Sequence, residues 1–124
     1  MPYPWMEDFF ISEPGTTRDY QPDWKATRFF LADKMYAMIG GDKEGTPIVT
    51  LKCDPFVGEV LRKEYKDIVP GYYMNKQHWN SVYLDGAVPD EVMKDMIDRA
   101  HNLVLEKLPK KTRESLLQQT DTGI

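Results

Sequence analysis

Thr27-Arg28-Phe29-Phe30-Leu31, Lys34-Met35-Tyr36-Ala37-Met38-Ile39 and Thr46-Pro47-Ile48-Val49-Thr50-Leu51-Lys52 follow one another, separated only by Ala32-Asp33 and Gly40-Gly41-Asp42-Lys43-Glu44-Gly45. Each run is short, rich in β-branched and aromatic residues and bounded by turn formers, the pattern of extended chain. A two-residue link and a polar, glycine-rich link are the connections antiparallel neighbours use. The three runs therefore predict a β-meander. In the last of them Ile48, Thr50 and Lys52 share one face and Val49 and Leu51 the other, which predicts a sheet with one face covered and the other partly open.

Upstream, Trp5, Met6, Phe9 and Phe10 fall on one face of a short helix, with Pro4 suited to its first turn and Pro14-Gly15 to stop it. Downstream, Asp54-Pro55 is a helix start, because the carboxylate can accept free amide hydrogens and proline fits the first helical position. Phe56, Val57, Val60 and Leu61 mark the buried stripe of that helix, which runs to about Tyr65 before Ile68-Val69-Pro70-Gly71 breaks it. Tyr72-Tyr73-Met74 and Trp79-Asn80-Ser81-Val82-Tyr83-Leu84 predict a strand pair joined through Asn75-Lys76-Gln77-His78. Asp85-Gly86 turns the chain, and Pro89 opens the longest helix, to about Leu108. In it Met93, Ile97, Ala100, Val104 and Leu108 line one side, and Glu91, Asp95, Asp98, Asn102 and Glu106 the other. The order α-β-β-β-α-β-β-α predicts an α+β two-layer sandwich, an antiparallel sheet with helices on one face. It makes one domain over residues 1–108, followed by a polar C-terminal tail, 109–124, with a loose helical turn at 113–119.

The chain has 124 residues, enough for a single domain, and its 16 Lys plus Arg against 20 Asp plus Glu leave a formal charge of −4. That balance argues against a generic basic nucleic-acid coat, although Lys107-Leu108-Pro109-Lys110-Lys111-Thr112-Arg113 concentrates four positive charges and no acid. The longest uncharged apolar stretch, Met35 to Gly41, is far shorter than the ~18 residues of a membrane-spanning helix. With no leader pattern at the start, a soluble cytoplasmic protein without a membrane partner is expected. The one cysteine, Cys53, excludes an internal disulfide and a cysteine cluster for zinc.

The run Val69-Pro70-Gly71-Tyr72-Tyr73-Met74-Asn75-Lys76-Gln77-His78-Trp79-Asn80-Ser81-Val82 resembles the signature of the MmcQ/YjbR family, small bacterial proteins. Lys34-Met35-Tyr36-Ala37, Leu51-Lys52-Cys53-Asp54-Pro55, Leu84-Asp85-Gly86 and Lys107-Leu108-Pro109-Lys110-Lys111 extend the resemblance over nearly the whole chain in the family's order. The resemblance implies a frataxin-like (CyaY-like) or secretion-chaperone-like α/β fold. It also implies a DNA-binding role through wing-like hairpins, while defining no biochemical activity.

Asn75, Lys76, His78, Trp79 and Asn80 gather amide, cation, imidazole and indole groups into six residues. Such a mixture suits nucleic acid: lysine neutralises phosphate, tryptophan stacks on a base or wedges into a groove, and asparagine pairs with base edges. The competing reading packs Trp79 into the core and gives the asparagines to backbone at the turn. Lys110 and Lys111 either meet phosphates or complement the dipole of the preceding helix, and an exposed cation can do both. Arg28 and Lys52, with Lys25 and Lys34, lie in or beside strands, where a hairpin could present them to a duplex or where they guard a sheet edge.

No catalytic constellation emerges. Cys53 alternates with the buried Val49 and Leu51 and has no local base, and Ser12, Ser81 and Ser115 lack a nucleophile elbow. Gly40-Gly41 has neither phosphate-loop nor dinucleotide spacing. His78 and His101 fall in different elements, and Glu7, Asp8 and Glu13 are too interrupted for an iron-binding ridge, so no metal and no cofactor are expected. The expectation is a non-catalytic monomer that binds double-stranded DNA. The alternative is a small protein- or peptide-interaction domain, favoured by overall acidity and by Tyr36, Tyr72, Tyr73 and Tyr83 near the strands.

Overall fold

A computed structural model describes residues 3–122. The elements are α1 (Met6–Ser12), β1 (Thr16–Gln21), β2 (Ala26–Leu31), β3 (Lys34–Gly41), β4 (Pro47–Lys52), α2 (Pro55–Glu64), β5 (Ile68–Pro70), β6 (Trp79–Tyr83), α3 (Asp90–Lys107) and α4 (Lys110–Thr122). The strands form one sheet in the order β1-β2-β3-β4-β6-β5, and every neighbouring pair is antiparallel. The α+β sandwich expected from the meander is the one observed, with the helices against one face.

Alternation along β2–β4 drives the packing. Phe29, Ala37, Val49, Leu51 and Val82 face the helices and join Met6 and Phe10 of α1 and Met93, Ile97 and Ala100 of α3 in a single core. The rings of Phe10 and Phe29 stack with centroids 4.1 Å apart. Between β2 and β3 the register slips, with Phe29 opposite Ala37 but Phe30 opposite Met35, so Tyr36 is the extra residue of a bulge. The bulge turns Tyr36 as well as Ala37 into the core, where the Tyr36 hydroxyl shares a 2.8 Å hydrogen bond with Thr16 Oγ1.

Four segments differ from the sequence expectation. Strand β1 was not anticipated: Thr17, Arg18, Asp19 and Tyr20 are all exposed, so no apolar alternation marks it, and it sits at the sheet edge with β2 as its strand partner. In α2 Asp54 caps the helix as expected, its Oδ1 accepting from the amides of Phe56 and Val57 at 3.0 and 3.1 Å. The buried side, however, is centred on Gly58, and Phe56 (74% exposed) and Val60 (46%) face solvent. An added Cβ at Gly58 would stand 2.8 Å from Cys53 Sγ. The helix therefore lies closest to the sheet at Gly58, and at about 100° per residue Phe56 and Val60 are carried to its far side.

The third difference concerns the strand before β6. It is Ile68–Pro70, and Tyr72-Tyr73-Met74 forms a turn instead. Gly71 closes the pairing by donating its amide to the Trp79 carbonyl at 2.8 Å, and Tyr73 then takes a left-handed φ of 63° that no strand admits. Lastly, the segment read as a polar tail is α4, whose Leu116 packs against the core. Among the described residues no helix is long and apolar enough to cross a membrane.

Candidate nucleic-acid interface

Residues directly opposite each other on paired strands point to the same face. Arg28, Met38, Thr50 and Ser81 therefore form one row across the face that carries no helix, and Lys52 and Trp79 a neighbouring pair on it. Thr50 and Ser81 share a 2.8 Å hydrogen bond. Both are buried, as are Met38 and Ile48, although no helix covers them. The segment between β5 and β6 folds back over this part of the face, with the Tyr72 amide donating to Ser81 Oγ at 3.0 Å.

Lys52 and Trp79 come together, the ammonium 5.7 Å from the indole centroid. Burial, then the positive charges of Lys107 and Lys34, hold the Lys52 amine below its ordinary range. Trp79 is itself 8% exposed, so it serves as a wall against which Lys52 lies, and the packing reading of this tryptophan is the one realised. Arg28 sits between the rings of Trp24 and Phe30, 5.1 Å from each centroid, and donates to both carboxylate oxygens of Asp19 at 2.8 and 2.5 Å. Those hydrogen bonds draw the Asp19 carboxyl below its usual range and leave Arg28 charge-compensated within the protein.

In the β5–β6 connection, Asn75 Oδ1 accepts from the amides of Gln77 and His78 at 2.9 and 3.2 Å, so its oxygen builds the turn. Lys76 Nζ donates to the Gly71 carbonyl at 3.3 Å from an exposed position, and the His78 side chain is exposed. Asn80 does not belong to this surface. It points to the helical side, is fully buried, accepts from Arg62 and donates to the Gly58 carbonyl. Lys110 and Lys111 are exposed in the first turn of α4, a different layer of the sandwich, with Lys110 4.0 Å from Glu114.

Two surface aromatics stand outside the nucleic-acid candidates named by sequence, where Tyr73 entered only for the protein-interaction alternative and Trp24 not at all. Tyr73 is 69% exposed at its positive φ, and Trp24 is 54% exposed in the turn before β2. Trp24 could have been found, since Pro22-Asp23-Trp24-Lys25 is a turn sequence with little means of burying an indole. The strained backbone of Tyr73 has no mark in the sequence.

Three further titratable groups, His101, Glu13 and Cys53, are wholly or partly buried within the fold. His101 is buried, and its Nε2 donates to the Pro14 carbonyl at 2.7 Å, while Asn102 Oδ1 and Glu13 Oε2 lie 3.2 and 3.5 Å from Nδ1. Burial, reinforced by a hydrogen bond to Asp98 and its charge, pushes Glu13 up to about 8. Burial likewise pushes the Cys53 thiol up to about 11, which suppresses the thiolate at neutral pH. Among the described residues no group of three or more His, Cys, Asp or Glu side chains could hold a metal ion.

Fold and surface together define a small α+β protein whose helix-free sheet face sets cations against aromatic rings. The chain belongs to the YjbR family, whose sequence profile matches residues 11–103. It is 34% identical over 110 residues to the uncharacterised protein YjbR of Escherichia coli (strain K12), covering 89% of this chain and 92% of that one. It is 31% identical over 102 residues to the uncharacterised protein YyaQ of Bacillus subtilis (strain 168), covering 72% and 86%. The crystal structure of Deinococcus radiodurans protein DR2400, of the domain family DUF419, superposes with a TM-score of 0.77 at 32% identity, covering 90% of this chain and 84% of that one. A Pseudomonas syringae crystal structure superposes with a TM-score of 0.66 at 26% identity, covering 77% and 92%.

Proposed function

We propose that the chain is a non-catalytic cytoplasmic protein that binds double-stranded DNA as a monomer, through the Gly71–His78 turn and the adjoining open face. The observation that carries this reading is Tyr73, a bulky residue held at φ 63° with 69% of its surface in water, three residues before the exposed Lys76. A left-handed backbone costs a residue of this kind roughly 1–2 kcal/mol, and such strain gathers where a chain presents a side chain to a ligand. Lys76 and Lys52 supply phosphate contacts, and Tyr73 and the His78 imidazole supply the ring surfaces.

With a formal charge of −4 the contact is local. Two or three neutralised phosphates give a log–log salt slope of about −2 to −3. Affinity for a random duplex measured at several salt concentrations tests this. A slope near zero, or no binding at low salt, overturns it, and Lys76→Ala should lower the slope by about one.

A second reading is favoured by α2, which leaves Phe56 and Val60 exposed one turn apart. Exposed apolar groups at that spacing suit a protein partner. Nuclease-resistant capture of a partner that is lost in Phe56→Ser/Val60→Ser would support this reading over the first.

A further inference from the structure

Three lysines from three separate parts of the fold line one cleft at an end of the sandwich. A cleft of about 310 Å³ is bounded by Asp33 and Lys34 at the β2–β3 turn, Lys52 at the end of β4, and Val104, Lys107 and Leu108 at the end of α3. Among the described residues none of the three lysines lies within 4.0 Å of a carboxylate. They are close enough for Lys107 and Lys34 to repel the charge on Lys52, adding to the effect of its burial. Three cations lining one cleft, none of them ion-paired, raise the energy of the unliganded state, and an anion entering among them relieves it. With Asp33 at the rim, the local balance is three positive charges against one negative, or +2.

We propose that this cleft binds a phosphoryl dianion, the terminal phosphate of a phosphorylated molecule. The charge decides between phosphate types. A backbone phosphodiester carries one negative charge and is ordinarily met by one cation, whereas a phosphate monoester carries about −1.5 to −2 at neutral pH, as phosphorylated side chains do. A +2 cleft with an apolar wall of Val104 and Leu108 matches the second. The cleft shares only Lys52 with the DNA-binding surface proposed above, the Gly71–His78 turn and the open face beside it, and stands on Lys34 and Lys107, which lie outside that surface.

The monoester has two sources, a free mononucleotide or the 5′ end of a nucleic acid, and calorimetric titration separates them. The probes are adenosine 5′-monophosphate and one duplex prepared with a 5′-phosphate and with a 5′-hydroxyl. Saturable binding of the mononucleotide supports the proposal with a small phosphorylated ligand. Tighter binding of the phosphorylated duplex than of the hydroxyl duplex supports it with a nucleic-acid end. In either case Lys34→Gln with Lys107→Gln should weaken binding about tenfold or more, while Lys107→Arg preserves it. Lys34 and Lys107 are exposed, and the glutamine variant loses their mutual repulsion, so these variants should melt no lower than the parent.

The proposal is overturned if the mononucleotide fails to bind and the two duplexes bind equally, whatever their affinity. It is also overturned if the double glutamine variant binds either phosphorylated probe as well as the parent does. Where the mononucleotide fails to bind, equal binding of the two duplexes with a salt slope of the expected size leaves the DNA-binding reading standing while removing this one.

Discussion

Arg62 Nη1 donates to Asn80 Oδ1 across 2.7 Å, and the Asn80 amide donates in turn to the Gly58 carbonyl, so one buried side chain pins α2 to β6 at two points. Asn80→Ala removes both bonds and leaves the half-buried Arg62 guanidinium without this acceptor, a loss of about 1–3 kcal/mol. Chemical denaturation should show that loss. Duplex affinity of the folded variant should be unchanged, because Asn80 lies on the opposite face of the sheet from Lys52.

Gly71 fixes the course of the turn that carries Tyr73 and Lys76. A Cβ there would lie 2.7 Å from Trp79 Cβ and 3.0 Å from its carbonyl oxygen, both held by the β6 backbone, so neither can yield cheaply. Gly71→Ala is expected to cost about 1–3 kcal/mol through overpacking. It should also weaken duplex binding, since the turn must move away from the sheet. Melting and salt-dependent binding on the same preparation check the two effects together.

What was legible in the sequence follows what the residues advertise. Strands β2 to β4 are short runs rich in apolar, β-branched and aromatic residues between turn formers and announce themselves, whereas β1 buries so little that Thr16–Gln21 carries no such signal. Gly58 shifted the reading of α2: Val57 and Leu61 of the expected stripe turn inward, but a glycine at the closest approach attracts no attention on an apolar-stripe count while the exposed Phe56 and Val60 do. For the candidate interface, strand periodicity already separates Trp79 from Asn80, since neighbours in a strand point to opposite faces. The convergence of Lys34, Lys52 and Lys107, 18 and 55 residues apart along the chain, is a product of tertiary structure alone.

Glu13 sets a pH dependence. An unfolded glutamate titrates near 4.5, while burial beside Asp98 holds Glu13 protonated to about 8 in the folded chain. The folded state therefore binds this proton more tightly than the unfolded one. The contribution of Glu13 to stability is complete below about 4.5 and is lost as pH rises through about 8. The side chains facing it are Asp98 and His101 on α3 and Tyr36 on β3. Glu13→Gln keeps the shape and removes the titration, so its stability should vary less than the parent's between pH 5 and 9. Urea midpoints measured across that range decide this, and parallel curves for the two proteins would count against it.

The β2–β3 turn carries a removable strain. Ala32 takes a φ of 54° in the two-residue link between Leu31 and Lys34, a conformation that costs an alanine about 1–2 kcal/mol and that asparagine tolerates far better. Ala32 is exposed, so a larger polar side chain there meets no packing obstacle. Ala32→Asn should therefore raise stability by about 0.5–1 kcal/mol, a shift of about 2–8 °C in melting temperature for a domain of this size. The same turn supplies Lys34 to the cationic cleft, so the substitution also asks whether the strain serves the cleft. An unstrained turn that keeps Lys34 in place should bind adenosine 5′-monophosphate as the parent does. Stabilisation accompanied by loss of that binding would mean that the left-handed alanine holds Lys34 toward its ligand.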